Sequence, residues 1–78
     1  MAQELPLNKL GKGEVAAVTR VGGQGSTRRR LMEMGVIPGV QITIKKIAPL
    51  GDPIDVLVKG YHLSLRRREA AEIFVEVV

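Results

Sequence analysis

Short runs in which apolar and polar residues alternate are the feature that most constrains how this chain can fold. Between Val40 and Lys45 every second residue is a β-branched aliphatic one, which is the period of a strand with one buried face. Four further runs show the same period and predict a mostly β domain with five short strands. The inward positions are predicted to be Val15, Ala17, Thr19 and Val21; Val40, Ile42 and Ile44; Ile54, Val56 and Val58; Tyr61, Leu63 and Leu65; and Ile73, Val75 and Val77.

Glycine, proline and breaks of phase mark where these strands end. Lys59-Gly60 is predicted to form a tight hairpin turn between two strands. Ile47 follows Lys46 out of phase, which predicts a bulge or a strand end before the loop of residues 48–53. Residues 66–72 have room for a single helical turn before the last strand.

One longer helix is expected after the first long strand. Ser26 or Thr27 is predicted to cap its start, and Gly35 is predicted to end it in the left-handed conformation that glycine adopts readily. Leu31 and Met34 lie three positions apart and are expected to share its buried face.

The size of the chain bounds the architecture. The 78 residues contain no cysteine, so we predict a single domain, residues 1–78, without disulfides. A five-stranded sheet would leave exposed edges, and closure into a small barrel filled by aliphatic side chains removes them. Leu5, Leu7 and Leu10 are expected to attach an extended N-terminal tether to this body.

Composition also disfavours several classes of function. The chain has one histidine, His62, which is too few nitrogen and sulfur ligands for the usual metal centres. We therefore predict no catalytic, cofactor or metal residues and no enzyme. Asp52 and Asp55 are interpreted as turn residues rather than cation ligands, and the glycine-rich segment 22–27 as a turn rather than a phosphate loop. Tyr61 is expected in the core, which argues against a nucleic-acid binder that stacks bases on aromatic rings.

The location of the chain is predicted from what its sequence lacks. No apolar run approaches the roughly 18 to 20 residues that cross a bilayer, and no signal stretch opens the sequence. We therefore expect a cytoplasmic protein without direct membrane insertion. Self-association through an open strand edge stays undecided.

Two basic runs, residues 28–30 and 66–68, stand out in a chain of net charge +4. The first falls in the first turn of the predicted helix, where the helix dipole disfavours cations by about 0.3 to 1 kcal/mol each. Each run is interpreted either as a docking patch for an acidic surface or as a solvated face. Two apolar residues, one on the helix flank and one at a loop tip, are interpreted either as exposed contacts of a partner groove or as part of the core. The candidate partner-binding residues are therefore Arg28, Arg29, Arg30, Met32, Leu50 and Arg66.

Three separated blocks of the sequence are similar to a known family. They are RRLMEMGVIPG at residues 29–39, APLGDP at 48–53, and Gly60-Tyr61 with Leu65-Arg66, preceded by Leu7, Leu10, Gly11 and Gly13. In order and spacing these blocks resemble the FeoA family of small ferrous-iron-uptake proteins.

The resemblance implies a fold and a partner. The fold is an SH3-like β-barrel, and the partner is the cytosolic domain of the FeoB-type ferrous iron transporter, a membrane protein that carries a GTP-binding domain. The implied role is that of a cytosolic accessory protein of ferrous iron uptake. A related domain forms the C-terminus of some iron-dependent repressors. The alternative is therefore a metal-responsive, transition-metal-binding or repressor-type regulatory module.

Overall fold

The alternating runs of the sequence form one antiparallel sheet, which has six strands rather than the predicted five because Leu5–Pro6 adds a short strand. The computed structural model describes residues 3–78. The elements are β1 (Leu5–Pro6), β2 (Val15–Val21), α1 (Gly25–Glu33), β3 (Gln41–Ile47), β4 (Ile54–Val58), β5 (Tyr61–Leu65), α2 (Arg67–Ala70) and β6 (Ile73–Val77). A 3-10 helix, Leu7–Lys9, follows β1, and the order of strands across the sheet is β1-β6-β2-β3-β4-β5.

The central hairpins follow from local sequence. Lys59 and Gly60 both have positive φ, +51° and +85°, as the predicted two-residue turn between β4 and β5 requires. The pairing of β3 with β4 shifts register between Ile44 and Lys46, which confirms the bulge that the out-of-phase Ile47 predicts.

The sheet is closed by short elements at its two edges rather than by further strand pairing. β1 and β5 are the edge strands. The 3-10 helix after β1 contacts α2, which follows β5. β1 also pairs with β6, with Leu5 opposite Val75 and Pro6 opposite Phe74. The two ends of the sheet therefore meet, and the inner face encloses one core.

That core is aliphatic, as expected. It also includes residues of the N-terminal lead, because Leu7 and Leu10 are buried and Leu5 packs against the core. The buried apolar residues are Leu7, Leu10, Ala16, Val18, Val21, Leu31, Val36, Ile42, Ile44, Ile54, Val56, Val58, Leu65, Ala70, Ile73 and Val75.

The predicted inward face of β2 is wrong. Ala16 and Val18 are buried, whereas Val15, Ala17 and Thr19 are only half-buried. The pairing of β2 with β6 shifts register between Val18 and Arg20. This bulge shifts the alternation of the strand by one residue. Ala16 and Val18 therefore point inward before it, and Val21 points inward after it.

The N-terminal tether is also shorter and more structured than predicted. Only two residues pair as β1, and Pro6 then precedes the 3-10 helix. Proline is well tolerated at a helix start because it donates no amide hydrogen. Met1 and Ala2, which the prediction included, lie outside the described residues.

Polar contacts of Glu4 tie this N-terminal segment to β2. The Thr19 hydroxyl donates to Glu4 Oε2 at 2.6 Å, and Arg20 Nε donates to Glu4 Oε1 at 3.1 Å. The Thr19 hydrogen bond is the main cause that lowers the pKa of Glu4, with Arg20 adding to it. The ionised carboxylate therefore favours the docked N-terminal segment.

Candidate docking surface

The arginines of α1 do not oppose the helix dipole in the way that the sequence predicts. The helix begins at Gly25, preceded by Gln24, whose side chain makes no capping hydrogen bond. The predicted Ser26 or Thr27 cap is therefore wrong. Arg28 ends the first turn, whereas Arg29 lies beyond it and Arg30 lies in the last turn, where a positive charge is favourable.

The three arginines have three different environments. Arg28 Nε donates to the Val21 carbonyl oxygen at 3.1 Å. Arg30 pairs with Glu69, its Nη2 lying 3.0 Å from Glu69 Oε2. The Arg29 side chain makes no ion pair within residues 3–78. Arg29 and the terminal nitrogens of Arg28 are thus available to a partner, while Arg30 is already neutralised.

Glu69 joins the two basic runs. It is the buried charged residue of the described chain, with 5% of its surface exposed. Its Oε1 accepts a hydrogen bond from the Arg66 amide at 2.8 Å, while its Oε2 pairs with Arg30 on α1. The fold therefore brings residues 28–30 and 66–68 together at the contact between α1 and α2.

The end of α1 is held by Tyr61. The Tyr61 hydroxyl donates a hydrogen bond to the Met34 carbonyl oxygen, and 41% of the tyrosine surface is exposed, so the prediction that it lies in the core is wrong. Gly35 follows with φ +94°, as predicted for the residue that ends the helix. The C-terminal half of α1 is therefore held at two points. Arg30 pairs with Glu69 on α2, and the Met34 carbonyl oxygen accepts a hydrogen bond from Tyr61 on β5.

Four shallow depressions line this side of the molecule and share residues. The first, of about 560 Å³, lies beside α2 and includes Arg66 and Arg68. Arg68 also lines the second, about 400 Å³, with Arg30 and Thr27. Arg30 and Thr27 also line the third depression, of about 330 Å³, together with Arg29. Arg29 lines the fourth depression as well, which has a volume of about 560 Å³. We call this continuous face the docking surface.

Leu50 lies at the tip of a loop beside α2. It is 91% exposed, which excludes the core placement. The loop is closed by a hydrogen bond from the Gly51 amide to the Ala48 carbonyl oxygen at 2.7 Å. It is fastened to α2 because the Arg67 amide donates to Asp52 Oδ1 at 3.1 Å. The exposed Leu50 side chain therefore lies next to the first depression, which Arg66 lines.

Met32 combines the two placements that the sequence allows for it. It is half-buried and packs against the core, yet it also lines the fourth depression with Ile37. In the sequence Ile37 stands directly before Pro38 and Gly39, a pattern that predicts only a turn. Its place beside Met32 becomes evident from the path of the chain after α1.

The remaining polar candidates have local structural positions, although residues 25–27 of the glycine-rich segment begin α1 instead of forming a turn. His62 is exposed on β5, and Asp52 serves the loop contact with α2. In the glycine-rich segment, a side chain at Gly22 would meet Glu72 and Phe74 at 3.1 and 3.2 Å, so glycine permits close approach to β6 there. No group of three potential metal ligands occurs in the described part of the chain.

Taken with the six-stranded antiparallel sheet, these features define an SH3-like β-barrel. The crystal structure of *Stenotrophomonas maltophilia* FeoA complexed with zinc, described as a prokaryotic SH3 domain protein, matches 88% of this chain and 86% of its own with a TM-score of 0.79 and 29% identity. The FeoA-like protein from *Clostridium acetobutylicum* matches 100% of this chain and 91% of its own with a TM-score of 0.92 and 38% identity.

The FeoA domain family model matches residues 5–77. The chain therefore belongs to the FeoA family, a family associated with ferrous iron transport. A curated relative from *Porphyromonas gingivalis*, the Fe(2+) transport protein A/Fe(2+) transporter FeoB fusion protein, is 43% identical over 72 residues. The match covers 92% of this chain and only 8% of the fusion protein. No helix of residues 3–78 has the length and apolar character needed to span a bilayer.

Proposed function

We propose that this protein is a cytoplasmic accessory of ferrous iron uptake that docks on the cytosolic domain of a FeoB-type transporter and modulates transport through protein-protein contacts. It acts by binding and not by catalysis. The observation that carries the proposal is the *Porphyromonas gingivalis* relative, in which a similar domain and the transporter form one chain. Fusion keeps two modules at a high effective concentration.

The docking surface supports this role by its chemistry. The proposed contact residues combine arginines with apolar side chains, the combination that is enriched in protein interfaces. Arg28, Arg29 and Met32 line the α1 end of the docking surface and Arg66 lines its α2 end, and Leu50 is exposed on the neighbouring loop. Arg30 contributes through its pair with Glu69, which holds α1 in place.

The test is a chemical-shift titration of the ¹⁵N-labelled protein with the transporter's cytosolic domain. We expect shifts on α1, α2 and the loop of residues 48–53, and a weaker affinity at high salt because exposed arginines steer the encounter. An absence of shifts at high micromolar concentrations of the domain would refute the proposal. Shifts confined to β6 and the turn at Lys12 would refute the assigned surface.

A further inference from the structure

We infer that the depression beside α1 receives a short segment of the partner in which an aliphatic side chain is next to a carboxylate. This inference rests on the proposed function and specifies the chemistry of its contact. The depression, called here the α1 groove, is lined by Gly25, Arg28, Arg29, Met32, Glu33 and Ile37. Its volume of about 560 Å³ lies within the range of natural ligand sites.

The floor of the α1 groove is apolar and is built from two elements. Met32 belongs to α1, and Ile37 follows the helix after Gly35. Both side chains are half-buried, and Met32 also packs against the core. Methionine adapts its shape to a bound side chain at little cost. At the other end Gly25 has no side chain, and a Cβ there would meet nothing within 4 Å.

The rim of the α1 groove carries the charge that selects a carboxylate. Arg28 is held by its Nε contact with the Val21 carbonyl oxygen, so its guanidinium is positioned before a partner arrives. Held in this way, it loses less freedom on binding, and a guanidinium suits bidentate pairing with a carboxylate. Arg29 adds a second positive charge and Glu33 one negative charge, which leaves the rim with a net positive charge.

A second copy of this chain is a poorer occupant than an acidic partner segment. The most exposed large apolar side chain that a copy could insert is Leu50. Asp52, the carboxylate nearest to it in sequence, already accepts a hydrogen bond from the Arg67 amide. A single leucine also buries far less than the roughly 1,000 Å² that a stable interface needs. Charge complementarity therefore favours a partner that brings both an aliphatic group and a free carboxylate.

The experiment compares matched variants against the transporter's cytosolic domain. Arg29→Glu reverses a charge on the rim, and Lys12→Glu makes the same change in a distant exposed turn. Met32→Lys places an ammonium group at the floor while keeping a long aliphatic stem for packing, and Val78→Lys is its exposed control. We expect Arg29→Glu and Met32→Lys each to weaken binding about tenfold or more, and the controls less than about twofold.

A peptide probe separates this inference from the proposed function. The ¹⁵N-labelled protein is titrated with a Glu-Leu-Asp-Ile-Glu-Leu peptide and with its Lys-Leu-Lys-Ile-Lys-Leu counterpart. Chemical-shift changes at Met32 and Ile37 with the acidic peptide, and none with the basic one, support the inference. This result would hold even if the transporter domain failed to bind, an outcome that would refute the proposed function. The inference is overturned when the acidic peptide causes no chemical-shift change at these amides, or when Arg29→Glu binds the transporter domain like the wild type. It is also overturned when the amides of the α1 groove change their chemical shifts with protein concentration alone, because that identifies a second copy as the occupant.

Discussion

Replacing Glu69 by alanine tests whether one buried carboxylate holds the two helices together. The change removes the acceptor of the Arg66 amide, a loss comparable to that of a helix cap, about 1 kcal/mol. It removes a buried methylene, worth about 0.8 kcal/mol. It also removes the ion pair with Arg30, whose side chain is 62% exposed, so that the pair contributes no more than about 0.5 kcal/mol. We expect a loss of about 2 kcal/mol in the free energy of unfolding.

The assay is urea denaturation followed by circular dichroism, together with a thermal melt. For a domain of this size, the expected loss corresponds to a melting temperature lower by about 8 to 16 °C. Glu69→Gln keeps the side-chain volume and an acceptor for the Arg66 amide, and we expect it to cost only about 0.5 kcal/mol. Glu33→Ala, on the exposed face of α1, is the control. Equal stabilities of Glu69→Ala and Glu33→Ala would refute the reasoning.

Three further perturbations probe separate features. Gly35→Ala adds a Cβ that displaces the Tyr61 hydroxyl and so breaks its hydrogen bond to the Met34 carbonyl oxygen. We expect it to lower the free energy of unfolding in urea by about 2 kcal/mol, against about 1 kcal/mol for Gly39→Ala, which has the same φ of +94° but open space. Leu50→Ser is expected to change stability by less than about 0.5 kcal/mol while weakening binding to the transporter domain; unchanged binding would remove this residue from the docking surface. Because the folded-state pKa of Glu4 is lowered, its stabilisation is present above the ordinary glutamate pKa and is lost as pH falls through the folded-state pKa. The free energy of unfolding in urea should therefore fall toward acid by more for the wild type than for Glu4→Gln, and an equal fall in the two proteins would contradict the role of Glu4.

The sequence predicts the elements with regular periodicity and misses those with an irregular register. The alternation around Ile42 and Val56 identifies β3 and β4, because a strand in which every second residue is aliphatic can bury all of them on one face of a sheet. In β2 the prediction fails because the register shift after Val18 changes the phase within a single strand. Tyr61 keeps the inward parity of β5, yet it is placed at the strand's end, where its hydroxyl reaches α1.

The candidate site was predictable in composition but not in arrangement. Arginine runs and an exposed leucine can be recognised from residue types alone. The pairing of Arg30 with Glu69 joins residues far apart in sequence, and no local pattern indicates it. The same holds for Ile37, whose contribution to the α1 groove depends on the turn of the chain after Gly35.

The antiparallel pairing of β1 with β6 places the two terminal strands of the barrel side by side, with Leu5 opposite Val75. A covalent tether leaving the first strand and one leaving the last would therefore depart from neighbouring points. Such a module can be grafted onto a larger polypeptide at either end without opening its sheet. This geometry explains in physical terms how one barrel design can serve both as a separate chain and as a segment of a fused one.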